Sequence, residues 1–324
     1  MTTPATLHRV PRHPHAWLAW LLLSQLAVAL LWWRLGWAWG LPALVLSHLA
    51  FVVPVFVPRA RLYAPVLDRL PVDERAVWLT IDDGPSGDTA AILAALDRHR
   101  ARATFFLVGE RAQAHPGLVG EILRRGHGIG NHSQTHPAGR FWALGPRAMA
   151  GQVGQAQQAL ARLAGASPRW FRSVVGHTNP FVAAPLRAHG LARVAWTARG
   201  YDAVDGDPLR VLQRIGRDLA PGAIVLLHEG AAHGRSVEIV EATLCLLEER
   251  GAVTRFYDPY VPVIPPSREH ASLTGRRSEA WSDTIGKDFD AVLVVTDHDN
   301  VDYHALVAGA SLVVDTRNAC RRAG

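Results

Sequence analysis

Hydrophobic positions in this 324-residue chain follow two patterns. Between Ala16 and Trp33, and again between Leu35 and Val57, no charged residue occurs, and Arg34 alone separates the stretches. Each is about twenty residues long, enough for a helix to cross the hydrocarbon of a bilayer. The pattern predicts two transmembrane helices, 16–33 and 35–57, joined by a turn of about three residues. A cleaved signal peptide has a shorter apolar core followed by small residues; here a second apolar stretch follows instead. Trp17 and Trp20 at the start, and Trp32, Trp33, Trp37 and Trp39 near the turn, stand where indole rings meet lipid headgroups.

After a connector at 62–75, punctuated by Pro65 and Pro71, short apolar runs alternate with amphipathic segments. Strands are predicted at 76–81, 103–108, 128–131, 169–172, 193–197, 223–227 and 252–257, and helices at 88–98, 116–125, 147–163, 208–219 and 236–250. This alternation predicts an α/β domain, either a parallel barrel or an open doubly wound sheet, with functional groups at the carboxyl ends of strands. Beyond Tyr257 the chain is Pro-rich, and then DAVLVVTD and SLVVDT predict two strands around a helix near 303–309. That tail is too short for a dinucleotide-binding domain of its own.

Charge changes the picture only through its position. The net charge is +6 and the isoelectric point near 10.0, values that suit a nucleic-acid binder. Residues 1–61, however, hold Arg9, Arg12, Arg34, Arg59 and Arg61 and no Asp or Glu, so the rest is nearly neutral and no nucleic-acid partner is expected. Basic residues flanking both spans place the chain in the cell (inner) membrane as a multi-pass protein, in contact with membrane lipids, with the following domain on the cytoplasmic side. Cys245 and Cys320 fit neither a disulfide framework nor a zinc-cysteine motif, and Cys245, inside ATLCLLEE, reads as a buried helix residue.

Chemistry enters at the strand ends. The first predicted strand runs into TIDDGPS, which delivers Asp82 and Asp83 to a Gly-Pro turn where both carboxylates can reach one pocket. NHSQTHP follows the third strand and places His132 and His136 four apart, so that either one helical turn or a tight loop can converge them on one metal. A carboxylate such as Asp83 completes a three-ligand set with positions open for water. Later strand ends supply Arg172, Asp202 and His228. A polar turn, a surface histidine pair or a salt bridge would explain each group singly; one candidate group per strand end is the pattern of a barrel active site.

With these motifs in place the chain resembles the NodB-type polysaccharide deacetylases. TIDDGPS, HSQTH, RSVVG, GYD and LLHE stand in the order of that family's five motifs, over about residues 76–257. The resemblance implies a distorted (β/α)7 barrel in which Asp82 is the catalytic base, Asp83, His132 and His136 hold a divalent metal ion, and His228 is the general acid. It further implies that Arg172 orients Asp82 and that Asp202 tunes His228. The metal is expected to be Zn, with Co, Mn and Ni suited to the same ligands. Departures are Val174 in place of the family's Pro, Ala203 in place of an aromatic residue and Glu229 in place of Asp. The tail resembles the end of the nucleotide-sugar (UDP-sugar) dehydrogenases, but no GxGxxG stands after a strand and no NAD is expected.

The expected organisation is therefore a membrane anchor (1–61), a connector (62–75), a catalytic domain (76–257) and a tail (258–324). The expected activity is metal-dependent removal of an N-acyl group, typically acetyl, from an amino sugar in a polysaccharide or lipid-linked glycan. A deformylase of a polyprenyl-linked sugar, a silent glycan-binding barrel and a component of a nucleotide-sugar oxidoreductase are the competing expectations.

Overall fold

The computed structural model describes residues 7–72, 76–251, 256–266, 274–289, 292–294, 298–310, 313–315 and 320. They fall in two compact units, 1–251 and 252–324.

The first unit opens with helices α1 (Ala16–Leu35) and α2 (Trp37–Val52). Both apolar helices, the second extended by a 3-10 turn to Val55, are long enough to cross a membrane. The break falls at Gly36, at φ 76°, two residues after Arg34, so the joint is a single residue rather than the predicted three. Only a residue without Cβ turns so sharply at low cost. Gly40 lets the helices close, because a Cβ there would lie 2.3 Å from the Trp32 ring. Between them Gln25 donates to Ser47 at 2.9 Å, and Ser47 to Ser24 at 3.0 Å, so the polar side chains face each other. The outer faces carry exposed apolar residues such as Leu26, Trp33 and Leu46.

The foot of this hairpin packs into the catalytic unit. Val55 and Tyr63 share an apolar cluster with Phe171, Val174 and Leu186, and Trp17 packs against it. Phe56 meets the rings of Trp142 and His177 at 5.5 and 5.2 Å. Arg59 donates to the carbonyls of Trp196 and Thr197 at 3.0 and 3.1 Å.

The catalytic unit is a curled parallel sheet of β1 (Val66–Leu67), β2 (Trp78–Gly84), β3 (Thr104–Leu107), β4 (Gly128–Asn131), β5 (Trp170–Phe171), β6 (Ala192–Val194), β7 (Ala198–Arg199) and β8 (Ile224–His228). Their order is β1-β6-β5-β4-β3-β2-β8-β7. The connector, read as linker, contributes β1, and the fifth predicted strand, 193–197, keeps strand structure only to Val194 as β6, with a further short strand, β7, beginning just past its predicted end. The break between β6 and β7 curls the sheet. The backbone pairs with β5 through Ala192 and then, a few residues on, with β8 through Ala198, so one short stretch joins both ends of the sheet. The seventh predicted strand lies mostly outside the described residues, and Phe256 and Tyr257 have no regular structure.

Predicted helices appear at Thr89–Arg98, Pro116–Arg124, Pro146–Ala164, Pro208–Asp218 and Ser236–Gly251. Alternation along the strands sorts the core. Leu79, Ile81, Phe105, Leu107, Val225 and Leu227 face the helices, while Phe106, Trp196, Ile224 and Leu226 fill the lumen. Each such side chain sealed from water contributes about 1.5–3 kcal/mol. Cys245 is exposed, not buried as its apolar run suggests. Its helix buries Ile239, Val240, Thr243 and Leu244, and Cys245 falls beside that stripe.

In the second unit β9 (Val292–Val294) runs parallel to β10 (Val313–Asp315), with a helix at Tyr303–Gly309 between them in sequence. This is the predicted strand-helix-strand order. Asp302 caps the helix by accepting from Ala305 N at 2.9 Å, and Tyr303 and Leu306 are buried.

Candidate active site

The site is built where β2, β3, β4, β5, β7 and β8 end. Along β2, Thr80 and Asp82 point into the lumen while Leu79 and Ile81 face the helices, so by alternation Asp83 would point away from Asp82. It does not, because Asp83 sits at φ 72° and the register with β3 shifts between Asp82 and Gly84. The left-handed residue turns its carboxylate back to the same pocket. Ser133 (φ 69°) and His136 (φ 51°) are strained in the same sense, and Val175 and Tyr201 follow on neighbouring loops. Such conformations cost about 1–3 kcal/mol each and persist where the surroundings hold them.

The surroundings are backbone stitches between loops. Val108 N donates to Gly84 O at 2.8 Å, Gly109 N to Ser133 O at 2.9 Å and Glu110 N to Gln134 O at 2.9 Å. His132 and His136 lie on a tight loop, not a helical turn. Asn131 accepts from Ser133 N at 3.0 Å, and the Ser133 hydroxyl accepts from His136 N at 3.2 Å.

Asp83 Oδ1 stands 3.0 Å from His136 Nε2 and 3.4 Å from His132 Nε2. The three candidate ligand atoms all lie within 4.8 Å of one another. His132 Nδ1 is 2.9 Å from the Arg172 carbonyl. A proton there leaves the Nε2 lone pair directed at Asp83, the tautomer a metal requires. Asp83 Oδ1 is itself sealed from solvent without a hydrogen-bond donor. A buried carboxylate oxygen and two imidazole nitrogens converging on one point fit a divalent cation. Burial raises the Asp83 pKa, but the two imidazoles prevail and hold it well below the ordinary range.

Asp82 is 2% exposed and stands behind this triad. Its Oδ1 accepts from Arg172 Nη1 at 2.8 Å, and Arg172, completely buried, also donates to Thr80 Oγ1 at 2.7 Å and Ala195 O at 3.1 Å. On β8, paired in register with Asp82, His228 brings Nδ1 to 3.1 Å from Asp202 Oδ1, while its backbone N donates to Asp202 Oδ2 at 2.6 Å. Burial works against the imidazolium, but Asp202, then Asp82 and Asp83, outweigh it and push the His228 pKa up to about 9.

All seven residues picked from the sequence thus line the strand ends of one sheet. Others were not anticipated. Glu229 accepts from Ser86 Oγ at 2.8 Å and from the Thr89 hydroxyl, bracing the turn after Asp83 from below. Arg111 donates to the Asp83 carbonyl. Arg199 lies beside Trp196 and Tyr201. Glu229 was visible as a departure in LLHE; the two arginines carry no local signal.

A curled parallel sheet with two histidines, paired carboxylates and a histidine-aspartate couple at its carboxyl edge defines a half-barrel of hydrolase type with a candidate metal site. The sequence profile of the polysaccharide deacetylases matches residues 69–194. A chitooligosaccharide deacetylase of Bradyrhizobium sp. is 33% identical over 171 residues, 52% of this chain and 77% of the relative. Peptidoglycan-N-acetylglucosamine deacetylase PgdA of Listeria monocytogenes is 31% identical over 178 residues, 55% of this chain and 37% of the relative. Among solved structures, a peptidoglycan N-acetylglucosamine deacetylase superposes with a TM-score of 0.53 at 29% identity, over 58% of this chain and 88% of that one. A CE4 family pseudoenzyme from Bacillus anthracis superposes with a TM-score of 0.52 at 26% identity, over 57% and 65% of the two chains. The chain belongs to the polysaccharide deacetylase family. It is a carbohydrate deacetylase, a hydrolase of carbon-nitrogen bonds other than peptide bonds. A second profile, the UDP binding domain of the UDP-glucose/GDP-mannose dehydrogenase family, matches 237–322 and so begins inside helix Ser236–Gly251.

Proposed function

We propose that this protein is a membrane-anchored, metal-dependent N-deacetylase of an amino sugar, acting on a lipid-linked glycan at the cytoplasmic face. The observation that carries the reaction is the joint arrangement of Asp83, His132 and His136 beside the Asp82–Arg172 and His228–Asp202 pairs. Asp83, His132 and His136 would hold the cation, which when bound polarises an amide carbonyl and acidifies water. Asp82, oriented by its hydrogen bond from Arg172, takes the proton as water attacks the acyl carbon. His228, its Nδ1 held by Asp202, delivers a proton to the sugar nitrogen as the C–N bond breaks, leaving acetate and the free amine.

The hairpin favours the lipid-linked substrate. Its foot touches the loops after Arg172 and β6 through Phe56 and Arg59, contacts that support a substrate delivered from the hairpin side. Arg9, Arg12, Arg59 and Arg61 on the domain side of the spans outnumber Arg34 at the turn, as expected for a cytoplasmic domain.

The test is acetate or formate release from soluble chito-oligosaccharides and lipid-linked amino sugars by detergent-solubilised protein, with and without chelator. Release that chelator abolishes and Zn restores is expected; a pseudoenzyme of this fold would release nothing under either condition. For topology, a membrane-impermeant maleimide should label exposed Cys245 only after cells are permeabilised. Labelling of intact cells would reverse the assignment.

The kcat–pH profile supplies a further expectation. With Asp202 raising the His228 pKa, the acid stays protonated through neutral pH, and the rate should fall only on the alkaline side of the ordinary imidazole range. Asp202→Asn removes the larger share of this support, a share that remains when a cation neutralises Asp83. It should move the alkaline limb down towards about 6.5, the ordinary value. An unmoved limb would remove His228 from the role of acid.

A further inference from the structure

Arg199 ends β7 with its side chain in the lumen, since its neighbour Ala198 packs among the helix-facing residues. Its guanidinium carbon lies 5.1 Å from the centre of the Trp196 ring and 4.1 Å from that of Tyr201. Tyr201, held at φ 63° in a turn, is 49% exposed and stands at the mouth. The Arg199 Nε is sealed from solvent with no hydrogen-bond partner. Among the described residues no oxygen accepts a hydrogen bond from this guanidinium.

Comparable arginines of the same unit are all supplied with oxygens. Arg172 has Asp82 and Thr80, Arg193 the carbonyls of Ala60 and Ala64, Arg59 those of Trp196 and Thr197, and Arg214 Asp205 and Gly200 O. The carboxylates nearest Arg199 in the chain are engaged elsewhere: Asp202 by His228, and Asp205 by Arg210 and Arg214. Asp202 and Asp82 lie near enough to favour the Arg199 charge, but neither bonds its fork, and a partly desolvated guanidinium with unmet donors is costly unless something outside the chain supplies an acceptor. Aromatic faces on two sides orient the planar fork, and a planar fork matches a carboxylate or phosphate.

We propose that Arg199 receives an oxyanion of the substrate, a phosphate ester or a carboxylate, carried on the N-acylated sugar or its immediate neighbour. This rests on the deacetylase reading and names the substrate class: a charged amino sugar in preference to a neutral one. The position of the group fits a membrane-delivered ligand, because the carbonyls of Trp196 and Thr197, just before Arg199, are the ones held by Arg59 at the hairpin foot.

The test measures binding and turnover together on the metal-loaded full chain in detergent. N-acetylglucosamine, N-acetylglucosamine 1-phosphate and N-acetylmuramic acid serve as neutral, phosphate and carboxylate probes. Wild-type protein should bind at least one charged probe about tenfold or more tighter than the neutral sugar, the factor expected of a charge-assisted hydrogen bond. Arg199→Gln should erase that preference, leaving neutral-sugar affinity within about twofold, and Arg199→Lys should restore part of it. Any direct attraction of phosphate to the cation is common to all three proteins and cancels in the comparison. A preference for the phosphate probe alone identifies a phosphate ester, and one for the muramic acid alone an acidic sugar. Equal affinity of wild type for all three probes overturns the proposal, as does an equal loss for all three in Arg199→Gln. Should Arg199→Gln not fold, a wild-type preference that Arg199→Lys weakens sustains it, whereas a preference that Arg199→Lys leaves unchanged, or its absence in wild type, overturns it. Acetate release from the same samples separates the two claims: a preference that depends on Arg199, without hydrolysis of any sugar, upholds the anion site and removes the deacetylase reading.

Discussion

Asp82→Asn protein is expected to hold its divalent cation as tightly as wild type and to hydrolyse substrate about a thousandfold more slowly, within the range for loss of a general base. The amide keeps the size of the side chain and can still meet Arg172, but it cannot take a proton from water. His132→Ala and Asp83→Asn should instead lose metal and turnover together, since each removes an atom from the converging set of three. Metal content measured beside turnover on each purified variant separates these outcomes. A fully active Asp82→Asn protein would remove Asp82 from the mechanism, and a metal-free one would move it into the ligand set.

The second large effect concerns Arg172. It is completely buried, its guanidinium carbon lies 4.2 Å from the centre of the Phe106 ring, and its ion pair with Asp82 is sealed inside the lumen. Arg172→Met leaves a buried carboxylate without its partner, a change that costs about 3–5 kcal/mol. Thermal or urea unfolding of the solubilised chain should show this as a clear drop in midpoint. Adding Asp82→Asn to Arg172→Met should recover part of the lost stability, because the stranded charge is then gone. Full stability of Arg172→Met alone would show that the pair contributes nothing net, as some buried ion pairs do.

Local pattern carries a good part of the fold. The apolar runs that became β2, β3, β4 and β8 are continuous because those strands are covered on one side by helices and on the other by the lumen, and the helices between them keep a clear period. What pattern does not carry is pairing that depends on distant partners. Val66–Leu67 has no strand signal between its prolines and becomes β1 only because β6 offers a free edge. The run at 193–197 looks like one strand but pairs only as far as Val194, and the chain rejoins the sheet at Ala198, past the predicted end, after curling across Trp196 and Thr197. Gly36, not Arg34, breaks the hairpin, since charge marks the membrane surface whereas the backbone marks the turn.

The candidate site divides along the same line. Residue types and their placement at strand ends bring forward Asp82, Asp83, His132, His136, Arg172, Asp202 and His228 as candidates, and the resemblance to the polysaccharide deacetylases implies their roles. Tertiary structure alone decided that adjacent Asp82 and Asp83 share a pocket, through a left-handed Asp83, and that His132 and His136 sit on a loop stitched to the next strand's loop. It alone brought Phe56 and Arg59 of the hairpin foot to His177 and the Trp196 carbonyl, and left Arg199 between two rings with no oxygen accepting from it among the described residues. The physical reason is one of range. The chemical capacity of a side chain travels with the residue, whereas its direction, its desolvation and its partners are set by elements a hundred or more residues away.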